Sequence, residues 1–411
     1  MVKKILFVHQ NFPGQYKHIA PSIAEEPNFE VSSISIKENK YHEYDNIDQH
    51  YYSLQRGTTQ GIHTLASEFE AKIIRAEACA NKAYELKQDG FNPDLIVGHS
   101  GWGELLFLKE VWPDTKYLTY VEFHYRLHNS DIDFDDTVHM DKTPFTRRKL
   151  IARNSPFTAQ YLMSDKMVTP TEFQKSTFED AFRNKIEVIH EGIATDFLKP
   201  SNEAEISVNG KTLSKKDKII LFLSRTLEPY RGYHIFMRAL PKILEDNPDA
   251  YILIVGGDNS GYGADPVEGT THREVYLNEV KDKVDKSRVF FTGRLDYQLL
   301  IACYQIASIH VYFTYPFVLS WSMLESMSCG GLIIGSKTGP VEEVIKHNKN
   351  GLLVDFFDVE GLTKNITKVL ANPSKFDHLR ENARKTIIDN YDLKSVTMPK
   401  HIKLIKEMLK A

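Results

Sequence analysis

The sequence predicts an α/β protein with two doubly wound, mostly parallel sheets. Three observations carry this. Short β-rich apolar runs alternate with helical patterns along almost the whole chain. The alternation fades at a polar stretch near residues 195–215 and then restarts, so the array is made twice. Strand after strand empties into a turn of Gly, Pro and polar residues, where open parallel sheets bind their ligands. A chain of 411 residues suits two domains of this kind. The expected boundaries are 1–195, 196–390 and a closing helical segment at 391–411.

Residues 4–9 read as the first strand, ending in Q-N-F-P-G-Q before a helix at 16–24. The turn lacks G-x-G-x-x-G, so no dinucleotide fingerprint is present. Gly14 either lets a backbone approach a phosphate or serves only the turn. A second strand spans 29–36, and 41–57 is polar and aromatic and reads as irregular. Residues 62–89 form a long helical pattern, with Leu65, Phe69, Ile73, Ala76, Ala80, Ala83 and Tyr84 at three- and four-residue steps. Strand 94–98 runs into H-S-G-W-G-E, a helix covers 105–110, and strand 116–121 opens into E-F-H-Y-R. Three polar clusters (9–15, 99–104, 122–126) therefore fall on one rim. His99, Glu104, Glu122 and His124 are its candidates for proton handling, and Glu122 and His124 share side-chain parity. Residues 129–143 read as an Asp-rich loop. Helices over 144–162 carry Arg147, Arg148, Lys149 and Arg153. That cluster reads first as a solvated helix face, with a phosphate-bearing acceptor or a membrane surface as the other readings. Strands at 166–169 and 186–189 flank a helix at 172–182.

The second array begins after 200–216, a stretch poor in apolar residues that reads as a linker. Strand 218–223 leads into S-R-T-L-E-P-Y-R-G and a helix at 233–244; strand 251–255 leads into G-G-D-N-S-G-Y-G. A helix at 273–283, a strand at 289–292 and a helix at 297–306 follow. Then I-A-S-I-H-V-Y-F, a polar turn, S-W-S-M-L-E-S-M-S-C-G and a further strand at 332–335 form half of a nucleotide-binding βαβ unit. The backbone amides of Leu319, Ser320 and Trp321 stand at that helix's N-terminus, where an anion is favoured. Glu325, one turn further on, has the position of an acid that accepts from ribose hydroxyls, or of a plain solvated carboxylate. Arg225 and Arg231 flank the turn after the first strand and offer forked donors to a diphosphate. Gly256 and Gly293 sit at two more strand ends, and Gly293 would admit a base beside Arg294 and Leu295. Helices at 362–370, 374–389 and 395–409 close the chain.

Several classes are excluded. A net charge of −4 and a pI near 6.5 argue against a nucleic-acid binder. Cys79, Cys303 and Cys329 are odd in number and far apart, so neither a disulfide framework nor zinc spacing follows. No P-loop, H-E-x-x-H or G-x-S-x-G occurs, and no metal or cofactor site is expected. The N-terminal apolar run is too short for a signal peptide, and no stretch approaches a membrane span. The expected location is cytoplasmic, with contact at the inner membrane face left open.

These motifs, in order, resemble the GT-B glycosyltransferases, and among them the retaining family-four group. L-S-R-T-L-E-P-Y-R-G, I-V-G-G-D, F-T-G-R-L, the Y-P-F-V-L-S-W-S-M-L-E-S block, T-G-P-V-E-E-V-I and N-G-L-L-V carry the resemblance in the second half. H-Q-N-F-P-G-Q-Y, V-T-P-T-E-F-Q-K-S-T-F and E-G-I-A-T-D-F carry it in the first. The resemblance implies GT-B architecture: two Rossmann-like domains facing a central cleft that holds a nucleotide-sugar, with the last helix crossing back to the first domain. By position, Arg225 and Arg231 would hold the donor diphosphate, Arg231 standing where the family usually has Lys. Glu325 would bind the ribose, Gly14 would approach the phosphate, and His124 would touch the transferred sugar. The family's Glu-x7-Glu signature is broken, because Phe317 stands at the first Glu; Glu122 is the first candidate to replace it. The implied reaction is retaining transfer of a sugar from a nucleoside diphosphate to a hydroxyl acceptor, such as a surface glycan or lipid-linked saccharide. A sugar-nucleotide epimerase and a non-catalytic sugar-nucleotide-binding protein are the rival readings.

Overall fold

Alternate residues of strand β1 (Lys3–Val8) enter different cores. Ile5 and Phe7 pack on one side with Leu95, Val97 and Leu118, whereas Leu6 and Val8 pack on the other with Ile96 and Tyr117. A strand buried on both faces must be apolar throughout, and helices must cover both sides. The computed structural model describes residues 2–39, 43–138, 143–259, 261–266 and 268–410. The chain divides into two compact units. One comprises Met1–Leu127, Asp141–Gly192 and Lys394–Ala411; the other comprises His128–Met140 and Ile193–Leu393.

The first unit holds β1, β2 (Phe29–Ile36), β3 (Asp48–Tyr52), β4 (Leu95–His99), β5 (Lys116–Tyr120), β6 (Lys166–Thr169) and β7 (Ile186–Val188). They form one parallel sheet in the order β3-β2-β1-β4-β5-β6-β7. Its helices are α1 (Ile19–Ala24), α2 (Thr64–Gln88), α3 (Leu108–Val111), α4 (Pro144–Met163), α5 (Glu172–Ser176) and α6 (Asp180–Arg183). Three expectations change here. The stretch expected to be irregular contains β3, a polar edge strand whose one-sided pairing needs little apolar burial. The single helix expected at 172–182 is two short ones, α5 and α6. In α2, Phe69 and Tyr84 are exposed; the buried face runs through Lys72, Ile74, Ala76, Cys79, Ala83 and Leu86.

The second unit begins with a hairpin, β8 (Glu205–Val208) and β9 (Lys211–Ser214), where a linker was expected. Asn209 and Gly210 both take positive φ, 50° and 78°, as a two-residue type I′ turn requires. Ile206 and Leu213 are buried against the unit's core. Strands β10 (Lys218–Thr226), β11 (Ala250–Gly257), β12 (Val289–Gly293), β13 (Ile309–Tyr312), β14 (Ile333–Ser336) and β15 (Leu352–Val354) form a parallel sheet ordered β12-β11-β10-β13-β14-β15. Helices α7 (Tyr233–Asp246), α8 (His272–Val280), α9 (Tyr297–Ile306), α10 (Trp321–Ser328), α11 (Gly339–Val344), α12 (Val359–Ala371) and α13 (Asp377–Tyr391) complete it. The final helix, α14 (Met398–Lys410), belongs to the first unit, where Leu404, Ile405 and Met408 join the core beside β1.

Residues 128–138 lie in the chain between β5 and α4, yet pack in the second unit. Asp131 accepts from the Tyr230 hydroxyl at 2.8 Å, and Asp135 accepts from the Tyr315 hydroxyl at 2.6 Å. Phe134 sits among Tyr315, Phe356 and Phe357 at ring separations of 5.1, 5.0 and 5.3 Å. The Asp-rich loop read from sequence is thus a docked segment, held by buried phenol–carboxylate pairs.

Candidate functional site

In the second unit the candidates gather at the carboxyl ends of β12, β11, β10 and β13, which are neighbours in the sheet. Arg225 is exposed near the end of β10. Arg231 is different. It is buried, and its Nη1 donates to Thr314 Oγ1 at 2.8 Å and to the Val318 carbonyl at 3.0 Å. Its guanidinium also lies 5.4 Å from the Tyr262 ring centre. Arg231 therefore fastens the 314–318 loop that leads into α10, and its positive charge is fixed beside that helix start.

Helix α10 begins at Trp321, capped by Ser320, whose hydroxyl accepts from the Ser322 amide at 3.3 Å. The Ser320 amide, expected to face an anion, donates instead to the Tyr312 hydroxyl at 2.8 Å. Leu319 packs partly against the core, and Trp321 is half-buried. Glu325 is buried, and each carboxylate oxygen already accepts a phenol: Oε1 from Tyr297 at 2.8 Å, Oε2 from Tyr304 at 3.1 Å. Burial, and then the Glu325 charge, pushes both phenols' pKa values up. The plain solvated carboxylate is thereby excluded. Each oxygen keeps a second lone pair for another hydroxyl.

Two glycines differ in what they leave open. A Cβ on Gly256 would meet the Ser224 carbonyl at 2.6 Å, so close strand packing explains that glycine. A Cβ on Gly293, at φ +67°, would meet nothing within 4 Å. Leu295, two residues on, is partly buried against the core. Phe317 is buried edge-on against Tyr230 and Tyr262, with ring centres 5.6 and 4.9 Å away.

In the first unit His124 follows β5 and is buried. Its Nε2 lies 3.2 Å from the Asn154 amide nitrogen, and its main-chain amide donates to Thr177 at 3.2 Å. Its Nδ1 is buried with no hydrogen-bond partner among the described residues. Burial lowers its pKa, against the raising effect of Glu179, so the ring is held neutral. Glu122 is half-buried, and its carbonyl accepts from Gln174 at 2.7 Å. Gly14 has φ +49°, and a Cβ there would lie 2.2 Å from the His9 ring, so His9 accounts for this glycine. His99 is stacked on Tyr120 at 5.0 Å, and Glu104 accepts from Tyr52 at 2.7 Å. Both are deeply buried side chains.

The sequence did not point to Glu228, which is buried and accepts from the amides of Tyr262 and Gly263 at 2.7 and 3.2 Å. It thereby pins the Gly-rich loop after β11. The signal was present as E-P-Y-R-G upstream of G-Y-G, but only the fold brings the two together.

Among the described residues no helix is long and apolar enough to cross a membrane, and no group of three or more His, Cys, Asp or Glu could hold a metal. Residues 28–198 match the model of the glycosyl transferase family 4 group, and residues 205–386 that of the glycosyl transferases group 1. A GDP-mannose-dependent alpha-(1-6)-phosphatidylinositol monomannoside mannosyltransferase of Mycolicibacterium smegmatis is 24% identical over 240 residues, 56% of this chain and 59% of that protein. A D-inositol 3-phosphate glycosyltransferase of the same organism is 26% identical over 212 residues, 50% of this chain and 45% of its own length. The chain thus spans about half the length of the curated relatives it matches. Among solved structures, a sucrose-phosphate synthase from Thermosynechococcus elongatus aligns with a TM-score of 0.74 at 17% identity, over 99% of both chains. Anabaena HepE in complex with UDP and glucose aligns at 0.66 and 16% identity, over 98% of this chain and 100% of that one. Two parallel sheets of Rossmann type, matched over both halves of the chain by these models, make the protein a member of the glycosyl transferases group 1 with the GT-B fold.

Proposed function

We propose that the protein transfers a sugar, with retention, from a nucleoside-diphosphate donor to a hydroxyl of a saccharide or lipid-linked saccharide. The observation that carries this reading is Arg231, a buried cation fixed to the loop that opens α10, with Glu325 one turn into that helix. A diphosphate beside Arg225 and Arg231 would be neutralised by two guanidinium groups, and Glu325 would accept from ribose hydroxyls in place of, or beside, Tyr297 and Tyr304. The relatives' names add support: one uses GDP-mannose, and another structural neighbour holds UDP and glucose.

In the proposed step the bond from the anomeric carbon to the diphosphate oxygen breaks. The bond to the acceptor oxygen forms on the same face, and the acceptor's proton passes to the departing diphosphate. Arg225 and Arg231 stabilise the negative charge as it develops. His124, which the family resemblance assigns to the transferred sugar, is held neutral by burial and would meet a sugar hydroxyl uncharged.

Thermal shift with UDP, GDP and ADP tests the donor site. A specific nucleotide at about 100 times its Kd adds about 2.7 kcal/mol of stability. Arg225→Ala should weaken that nucleotide about 10- to 100-fold, the value of one charge-assisted bond. Unchanged affinity in Arg225→Ala and Glu325→Ala would place the nucleotide elsewhere. A second reading, a sugar-nucleotide-binding protein without turnover, is favoured by one observation: Phe317 stands in an aromatic cage where the family has a carboxylate. Release of nucleoside diphosphate in proportion to a new glycoside excludes it.

A further inference from the structure

Tyr230 and Tyr315 are tied to each other twice. The Tyr315 amide donates to the Tyr230 carbonyl at 2.9 Å, and the two ring centres lie 4.6 Å apart. Each also neighbours a residue of the candidate donor site in the chain. Tyr230 precedes Arg231, and Tyr315 follows Thr314, which accepts from Arg231. The docked 128–138 segment holds the hydroxyl end of both phenols, through Asp131 on Tyr230 and Asp135 on Tyr315. Both carboxylates and both phenols are buried. Asp135 is itself fixed: its Oδ1 accepts from the Thr137 amide at 2.8 Å, and His234 Nε2 lies 3.0 Å from its Oδ2. All of these residues belong to the second unit.

Two features separate this docking from ordinary packing. Apolar residues cover buried rings at lower cost than ionised carboxylates do, so burial alone does not account for two aspartates. What a carboxylate adds is direction, since each accepts from one phenol and fixes where its hydroxyl points. The second feature is where the bonds end. They fall on the two backbone segments that Arg231 joins, 229–231 and 314–318. The same pair of segments is therefore held twice, by the guanidinium and by the aspartates.

We propose that residues 131–135 form a strap that positions the diphosphate-binding cation. Asp131 and Asp135 are positioning residues: through Tyr230 and Tyr315 they keep Arg231 and the 314–318 loop in register for a nucleoside diphosphate. The proposal rests on the reading of Arg231 as a cation for the donor diphosphate. It makes donor affinity depend on a segment whose chain neighbours on both sides belong to the first unit. Two variants of the full chain test it. Asp135→Asn keeps the side chain's size and removes its charge, and Phe134→Ala loosens the segment while leaving both phenols intact. In both, hydrogen–deuterium exchange in peptides covering 314–318 should quicken about tenfold, the loss of one hydrogen bond's worth of protection, with β10 and β11 unchanged. Isothermal titration with UDP, GDP and ADP should show the nucleotide that the wild type binds weakened about 10-fold, and the matching nucleoside unaffected. A segment that only added stability would lower the urea midpoint without separating diphosphate from nucleoside. Unchanged exchange in both variants overturns the proposal, and so does faster exchange with full diphosphate affinity. If Arg225→Ala weakens the nucleotide and the strap variants do not, the strap fails alone and the donor reading stands. If none of the three variants weakens it, or the wild type binds none of the three nucleotides, both fail together.

Discussion

Phe317 packs edge-on against Tyr230 and Tyr262, and the Tyr230 hydroxyl is committed to Asp131. A carboxylate put there would be buried against aromatic rings. Phe317→Glu should therefore cost about 3 kcal/mol of unfolding free energy at neutral pH. Burial raises a carboxyl's pKa, so the folded variant would take up a proton before the unfolded chain does, and the loss should shrink as pH falls from neutral toward about 4.3, the range of an unfolded glutamate. Urea titrations at two pH values check this; an equal loss at both would show that the site is wet. Tyr304→Phe removes the donor to Glu325 Oε2 inside the unit and should cost about 2 kcal/mol, measured the same way. Arg225, Arg231 and Glu325 were picked out by residue type and spacing, and the structure gathers them in the second unit. Their partners were not legible. Thr314 is 83 residues from Arg231, and Tyr304 is 21 from Glu325, so only tertiary folding joins them.

The hairpin of β8 and β9 shows how an element is lost when composition outweighs pattern. Residues 200–216 are polar on average, yet Asn209-Gly210 is a strong turn signal, and Ile206 and Leu213 fall on the same face of a paired ladder. Leu213 is fully buried in the unit's core. Leu213→Ala should destabilise by about 3 kcal/mol, whereas a linker position would give almost nothing; the shift of the urea midpoint decides. The edge strand β3 escaped notice for a related reason, since polar residues suffice where only one neighbour pairs. The central strands were legible because burial on both faces leaves them uniformly apolar. The segment at 128–138 was legible as a loop, but its docking through Phe134 and two aspartates was not, for the Tyr315 partner lies 180 residues on.

Across the whole molecule, buried neutral histidines set the response to acid. In the first unit His9 and His401 are held at about 4, and His99 falls well below its usual range, each chiefly by burial. His190 is lowered as well. In the second unit His310 is held at about 3 and His234 is lowered, again by burial. Below about pH 6.5 the unfolded chain protonates these rings and the folded chain does not, so stability present at neutral pH is lost as pH falls toward 4. A ring moved from 6.5 to about 4 forfeits about 3 kcal/mol when the titration is complete. Glu104 in the first unit works the other way: burial raises its pKa, so it favours the fold on acidification. One such carboxyl does not offset these histidines, to which His18 and His124 add. Asp135 in the second unit is driven up by burial but further down by bonds from His234, Thr137 and Tyr315, so its contribution is lost only below the usual carboxylate range. The first unit should therefore open first. Hydrogen–deuterium exchange near pH 4.5 should deprotect β1, β4 and β5 before β10, β11 and β13, and near pH 7 the order should vanish. Earlier loss in β10 and β11 would mean that the histidines of the first unit are hydrated in the folded state and do not govern its stability.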